Sequence, residues 1–396
     1  MNQTKRTPEQ VKQLIFKQYF KLPKPLPSYL LLGPPGIGKS ESIRQLAQEI
    51  AQKLNLQFIE YDDLIADKIL QNPNKYFVFV DFRLTECEPS DLLGIPRSDT
   101  QYVEFKPLKW AYVLSKTAGI LFLDELTNIQ RDDVKAVAYK LLLDRKAGFV
   151  KLNNDVIIIS AGNSPEYSSI ANALPSPLIN RLVVINVEKP TLDEWLNYMN
   201  VHYGDSWCKR IYAYLMLNSQ EFIKVPDSTE TLVNYPTPRS WTKLAVTLTN
   251  NYLQIYDSEE VKTLSIGFLG EEVGLKVAKF LLLNIPTISE LLENPATFEK
   301  LDLDVKYAFT VQYALWINEN EKQVFTIQSG KYIINEKHRK LIEEIINDSE
   351  ELALVFIHSF NVKKLAFALK FFLTIPRFKE LVQKLKQLKE KVEKGE

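Results

Sequence analysis

Glycine is scarce in this chain, at 13 of 396 residues, about half the roughly 7% usual in soluble proteins. That count excludes a collagen-like chain and makes each glycine present worth locating, since glycine alone takes left-handed backbone without cost. Cysteine is scarcer still. Cys87 and Cys208 cannot build a disulfide framework, and neither has a second cysteine or a histidine pair at zinc-ligand spacing, so both are read as inert thiols. Net charge is missing too: 49 Lys and Arg balance 49 Asp and Glu. The balance removes any whole-molecule pull towards phosphate backbones or anionic lipid, so a nucleic acid would have to be held by a local patch. No run reaches the ~18 apolar residues of a membrane helix, and the opening MNQTKRTPEQ lacks a signal peptide's apolar core. A cytoplasmic protein with no membrane association is expected.

What is present is enough apolar residue, 45%, to pack an ordinary core over two or three domains. Thr7, Pro8 and Gln10 supply a helix N-cap, a first-turn proline and a capping-box partner for a helix over 7 to 20. Prolines from Pro23 to Pro27 end it. Apolar strand-like runs then alternate with helical ones: YLLL at 29 to 32, YFVFVDF at 76 to 82, GILFLD at 119 to 124, VIIIS at 156 to 160 and LVVINV at 182 to 187, with helices at 41 to 54 and 132 to 146. Continuous apolar strands separated by helices predict a parallel sheet covered on both faces, an α/β fold. Beyond Thr191 strand signals fade, and helical patterns at 209 to 223, 240 to 255, 271 to 283 and 337 to 347 predict a mostly helical second half. Phe378, Leu381, Leu385, Leu388 and Val392 alternate three and four apart, which fits a solvated terminal helix or a coiled-coil contact.

Residues 33 to 40 read GPPGIGKS, fitting G-x-x-x-x-G-K-[ST] with Gly33, Gly38, Lys39 and Ser40. Chance alone gives this pattern in roughly one chain in a hundred of this length. Its setting between a strand and a helix is the one the chemistry requires. Backbone N–H groups of Gly33, Pro34, Pro35, Gly36, Ile37, Gly38, Lys39 and Ser40, proline excepted, would cradle phosphate oxygens at a helix N-terminus. Lys39 would reach the β and γ phosphates, and the Ser40 hydroxyl would ligate Mg2+. Asp124 and Glu125 end the strand ILFLDE. Asp124 is the candidate for holding Mg2+, and Glu125 for orienting and deprotonating an attacking water. Asn163 ends the strand ISAGN at the same sheet edge and is a candidate for γ-phosphate or water positioning; a turn or capping role is the alternative.

These segments, in this order, resemble the AAA+ ATPases and more narrowly their MoxR-type branch. DFRLTECEPSDLLGIP (81 to 96), YKLLLDRKAG (139 to 148), AGNSPE (161 to 166), LPSPLINRL (174 to 182) and TPRSW (237 to 241) carry the resemblance further, over about residues 25 to 283. It implies a P-loop α/β domain over 28 to 190, after an N-terminal helix and Pro-rich linker (1 to 27). A helical lid with a preceding helical insertion (191 to 283) and a helical extension (284 to 396) would follow. It also implies a homo-oligomeric, usually hexameric ring with ATP between subunits. Arg181 matches the arginine finger that enters the adjacent subunit's site, Arg239 the second sensor and Asn163 the first. Arg145 stands open between an interface role and helix capping. Aromatics between Arg83 and Trp110, namely Tyr102, Phe105 and Trp110, either face a central channel or belong to a small core.

The resulting expectation is Mg2+-dependent ATP hydrolysis coupled to remodelling or assembly of a partner protein, with a von Willebrand factor type A protein the first partner to look for. ATP is preferred over GTP because no N-K-x-D-like segment stands at the appropriate place. The alternative is a nucleic-acid motor or loader: residues 1 to 28 hold six Lys and Arg against Glu9, a local charge of 6 minus 1, or +5. A nucleotide-gated scaffold with little turnover is the third.

Overall fold

The computed structural model describes residues 5–97, 104–164, 174–224, 233–328, 331–359 and 375–380. It divides into two compact units, the first built from residues 1–191 with 225–232 and 237–239, the second from 192–224, 233–236 and 240–396. In the first unit the chain runs β1 (Lys5–Arg6), α1 (Pro8–Lys21), β2 (Tyr29–Leu32), α2 (Lys39–Leu54), β3 (Gln57–Glu60), α3 (Ala66–Gln71), β4 (Tyr76–Arg83), α4 (Pro89–Leu93), β5 (Ile95–Arg97) and β6 (Glu104–Lys106). It continues through α5 (Lys109–Lys116), β7 (Ala118–Asp124), α6 (Asp132–Asp144), β8 (Lys146–Ala147), β9 (Val150–Lys151), β10 (Val156–Gly162), α7 (Ser176–Ile179) and β11 (Val183–Val187).

Seven strands form one parallel sheet in the order β1, β11, β2, β10, β7, β4, β3. The central strands are apolar on both faces: Ile157, Ile158 and Ile159 of β10, and Ile120 to Leu123 of β7, are wholly buried. Such strands cannot face water on either side, so helices must cover both, and βαβ crossovers supply them. The expected α/β fold is the fold observed. The opening helix carries its expected capping box, with Thr7 and Gln10 each satisfying the other's backbone N–H. Two cations of the basic arm are engaged internally. Lys12 is ion-paired with Glu49 (2.6 Å) and Glu9 (2.9 Å), and the Lys24 ammonium lies 3.0 Å from the centre of the Tyr19 ring.

The second unit is chiefly helical: α8 (Leu192–Tyr203), α9 (Lys209–Leu217), α10 (Pro238–Thr247), α11 (Tyr252–Ile255), α12 (Ser258–Leu269), α13 (Glu271–Leu281), α14 (Ile288–Glu293), α15 (Leu303–Glu319), α16 (Glu321–Val324), α17 (Glu336–Asp348) and α18 (Glu350–His358). The first residues of α10, through Arg239, group with the first unit. Helix α15 is the axis of this core, with Tyr313 buried between Phe309 and Trp316 and stacked on His338, whose Nδ1 meets the Tyr313 hydroxyl at 2.7 Å. Among the described residues no helix is long and apolar enough to cross a membrane.

Three details differ from the sequence reading. The helix expected over 209 to 223 ends at Leu217, and that expected over 240 to 255 breaks into α10 and α11. An antiparallel hairpin, β12 (Phe325–Gln328) with β13 (Lys331–Ile334), interrupts the helical half. Its strands of four residues are too short to announce themselves by periodicity. Of the final heptad-like run, Phe378 is buried, and the rest lies outside the described residues.

The open question of Arg145 is answered by its contacts. It ends α6 in the left-handed region (φ 56°), and its guanidinium donates to the carbonyls of Asn153 (3.1 Å) and Val156 (2.6 Å). It is a capping residue that ties α6 to the start of β10. Replacing it with alanine removes both of these side-chain hydrogen bonds, although Asn153 O keeps the N–H of Val156, and a loss of about 1 to 3 kcal/mol in denaturant stability is expected; an unchanged midpoint would remove this role.

Candidate nucleotide site

The turn between β2 and α2 is built around backbone that only glycine tolerates. Gly38 caps α2 at φ 95°, and a Cβ on Gly33 would lie 2.2 Å from the Val187 carbonyl oxygen. The first hydrogen bond of α2 is Ser42 N–H to Gly38 O. The N–H groups of Lys39, Ser40 and Glu41 therefore project from the helix start without intrahelical acceptors, where the helix dipole adds positive potential. This is an anion cradle made of backbone. Ile37 is buried, so its side chain anchors the turn.

Lys39 is buried beneath the turn. Its ammonium donates to the carbonyls of Gly33 (2.8 Å) and Pro34 (2.7 Å) and approaches Asn163 Oδ1 at 3.4 Å. Burial, assisted by the positive charge of Arg239 and opposed by Asp124, pushes its pKa from the ordinary 10.5 down to about 8. Arg239 stands at the start of α10 with an exposed side chain, and its backbone N–H donates to Gly36 O at 3.0 Å. The second-sensor candidate is thus docked on the loop it would serve.

Ser40 and Asp124 meet across the sheet edge, the hydroxyl donating to Asp124 Oδ2 at 2.6 Å. Both are hard oxygen donors and both are half-buried. Among the described residues no cluster of three or more His, Cys, Asp or Glu could hold a metal. One carboxylate and one hydroxyl suit Mg2+, which keeps water and takes its remaining ligands from substrate phosphates. Glu125 follows in the left-handed region (φ 61°, ψ 29°), a backbone state costing ~1 to 3 kcal/mol in a residue with a side chain. Its own N–H donates to Asp124 Oδ1 (2.8 Å), and the Thr85 hydroxyl donates to its Oε2 at 2.5 Å.

Thr85 has no motif to reveal it. It reaches Glu125 because β4 and β7 are paired in register, Arg83 opposite Asp124, so the residues just past each strand end are neighbours. Thr127 is the other residue missed: its hydroxyl accepts the Asn163 N–H at 2.9 Å and fixes that loop. The structure thus brings Lys39, Ser40, Asp124, Glu125, Asn163 and Arg239 to one edge. Arg181 is elsewhere. It precedes β11, whose Val183 pairs with Tyr29 at the start of β2, whereas the phosphate loop leaves β2 after Leu32. Four strand residues, about 13 Å, separate the two ends, farther than an arginine side chain extends. Arg181 is exposed. Trp110 is a core residue, its ring against Phe82 and its indole N–H donating to Asp91 O at 2.9 Å. Tyr102 and the Phe105 side chain lie outside the described residues.

Residues 29–187 match the family of ATPases associated with various cellular activities (AAA). Among solved structures, a candidate ATPase from Cytophaga hutchinsonii is similar at 11% identity over 94% of this chain and 88% of that one, with a TM-score of 0.29. Hsp104, in a closed state with ATPγS and casein, is similar at 16% identity over 80% of this chain and 51% of its own, TM-score 0.35. The FIGL-1 AAA domain bound to ADP is similar at 13% identity over 72% and 83%, TM-score 0.29.

Phosphate binding favours the charged form of Lys39, so nucleotide affinity is linked to proton uptake. Affinity should hold below about pH 8 and weaken about tenfold per pH unit above it, until the phosphate-bound pKa is reached. Calorimetric titration across this range checks it, and affinity flat up to pH 10 or so would contradict it.

Proposed function

We propose that this chain, a P-loop ATPase whose AAA domain occupies residues 29–187, hydrolyses ATP with Mg2+ as a homo-oligomeric ring and couples hydrolysis to remodelling of a partner protein. The observation that carries the hydrolytic part is the convergence of Lys39, Ser40, Asp124 and Glu125 on one sheet edge, with the Ser40 hydroxyl 2.6 Å from Asp124. Bound Mg2+ would be held by Ser40 and Asp124 and would neutralise charge on the β and γ phosphates.

The chain's own groups do the rest. Backbone N–H groups of the turn and of the α2 start hold the phosphates. Lys39 exchanges the carbonyls of Gly33 and Pro34 for phosphate oxygens. Glu125 takes the proton of the attacking water, and Asn163, steadied by Thr127, orients that water or the γ-phosphate. The Thr85 hydroxyl competes for the lone pairs that Glu125 needs as a base, so it also sets where that carboxylate points. Arg239, docked on Gly36, senses the γ-phosphate from its own subunit.

Arg181 supports the oligomeric part. An exposed arginine at the far end of β2 from its own phosphate loop can stabilise transferring phosphoryl charge only in another copy. Remodelling of a protein, and a von Willebrand factor type A partner, rest on the resemblance of the dispersed segments to the MoxR-type branch.

Substituting Glu125→Gln should leave ATP affinity within a few-fold while turnover falls by ~100-fold or more. Thr85→Val should change kcat with little effect on ATP affinity. Full turnover in Glu125→Gln would remove the assigned base, and a Thr85→Val kcat and pH profile identical to the parent would remove the Thr85 role.

A further inference from the structure

The strand end beside Asp124 carries a cation to which no step above gives a task. Arg83, the last residue of β4, is paired in register with Asp124, the last of β7. Paired residues on neighbouring parallel strands send their side chains to the same face of the sheet. Two contacts identify that face as the one covered by α2. Ser40, at the start of α2, donates to Asp124, and the Phe79 ring stacks on Phe122 with centroids 6.3 Å apart, each ring lying on the face of its own strand end. Arg83 therefore leaves the sheet beside Asp124, at the edge where Lys39 and Ser40 also meet.

Its backbone is held firmly and its side chain is not. The Arg83 carbonyl accepts the Glu86 N–H (3.0 Å) and the Cys87 thiol (3.3 Å), and the next N–H, of Leu84, donates to Asp124 O at 3.1 Å. The guanidinium makes one ion pair among the described residues, with Glu86 at 3.5 Å, and the two side chains are 65% and 70% exposed. A long, exposed pair of this kind contributes little and gives way easily.

We propose that Arg83 contacts the γ-phosphate of ATP in its own subunit, leaving Glu86 when the triphosphate binds and returning to it after the phosphate departs. The contact rests on the ATPase reading and adds to that site a group that distinguishes ATP from ADP. Phosphates held by the turn, Lys39 and Ser40 lie over the ends of β2, β10 and β7, and β4 is the next strand, about 5 Å further on. An arginine side chain spans that distance, whereas the length of β2 keeps Arg181 from the same loop. The planar guanidinium presents parallel N–H donors to phosphate oxygens, a stronger pairing than one exposed carboxylate at 3.5 Å provides.

Equilibrium displacement of mant-labelled ADP by ADP and by ATPγS, measured on the full chain, reads this contact without turnover. Arg83→Gln should lose about 10- to 100-fold in ATPγS affinity, the span expected for a hydrogen bond between charged groups, while ADP affinity stays within about twofold. Arg83→Lys should recover part of the loss, since it restores the charge without the fork of donors. Glu86→Gln should bind ATPγS as tightly as the parent or a few-fold more tightly, because it frees the guanidinium. An ATPγS affinity in Arg83→Gln equal to the parent's, an equal loss of ADP affinity, or a loss in Glu86→Gln as large as that in Arg83→Gln would each overturn the proposal. So would a fall in oligomer mass by light scattering in Arg83→Gln, which would make Arg83 an interface group. Discrimination of this kind in a parent that does not hydrolyse ATP would keep the contact and sink the hydrolytic reading instead.

Discussion

The arrangement depends on one constraint: three parallel strands that end level. In β2 and β10, Leu32 pairs with Gly162, and in β10 and β7, Ser160 pairs with Leu123. The next residues along each strand, Gly33, Asn163 and the pair Asp124 and Glu125, are therefore delivered to one edge. Shifting any of these strands by a single residue would exchange the side chains packed on its two buried faces and carry its site residue away from the others. The burial of β10 and β7 that makes such a slip costly is also what makes the site rigid. Fold stability and site geometry thus share one cause.

On that edge the charges are arranged as a balance. Lys39, desolvated and near Arg239, is held below its ordinary pKa, while Asp124 pulls it back up. A triphosphate supplies the anion that this group of cations and N–H donors lacks, which is why phosphate and protonated lysine favour one another. Glu125 is held differently. Its backbone occupies a strained left-handed state and its carboxylate is hydrogen-bonded by Thr85, so its position is dictated by the neighbouring strand end as much as by its own. A carboxylate held by a hydroxyl from another element is positioned by β4 and its following loop.

How much of this was legible in the sequence follows from range. The phosphate turn and the acidic strand end are local patterns, in which glycine spacing, an apolar run and a helix start carry the chemistry within eight residues or so. The parallel sheet was legible for the same reason, because its strands are apolar on both faces. Thr85 and Thr127 were not, since their roles arise from the register of strands far apart in sequence. The edge strand β1, of two residues, and the hairpins β8–β9 and β12–β13 are too short for periodicity to speak. Arg145 was ambiguous because only its contacts with the carbonyls of Asn153 and Val156 distinguish a cap from an interface group. Arg181 was placed by resemblance, and the register of β11 against β2 adds the distance that separates it from its own loop.

The central claim is that the catalytic unit is shared between copies, one supplying Glu125 and the other Arg181. Mixing two separately inactive chains, one carrying Glu125→Gln and the other Arg181→Ala, measures this directly. In random equal mixtures half the sites keep Glu125 and half of their neighbours keep Arg181, so about a quarter of the parent ATPase rate should return. A mixture as inactive as its components, under conditions in which the two chains demonstrably co-assemble, would contradict the account.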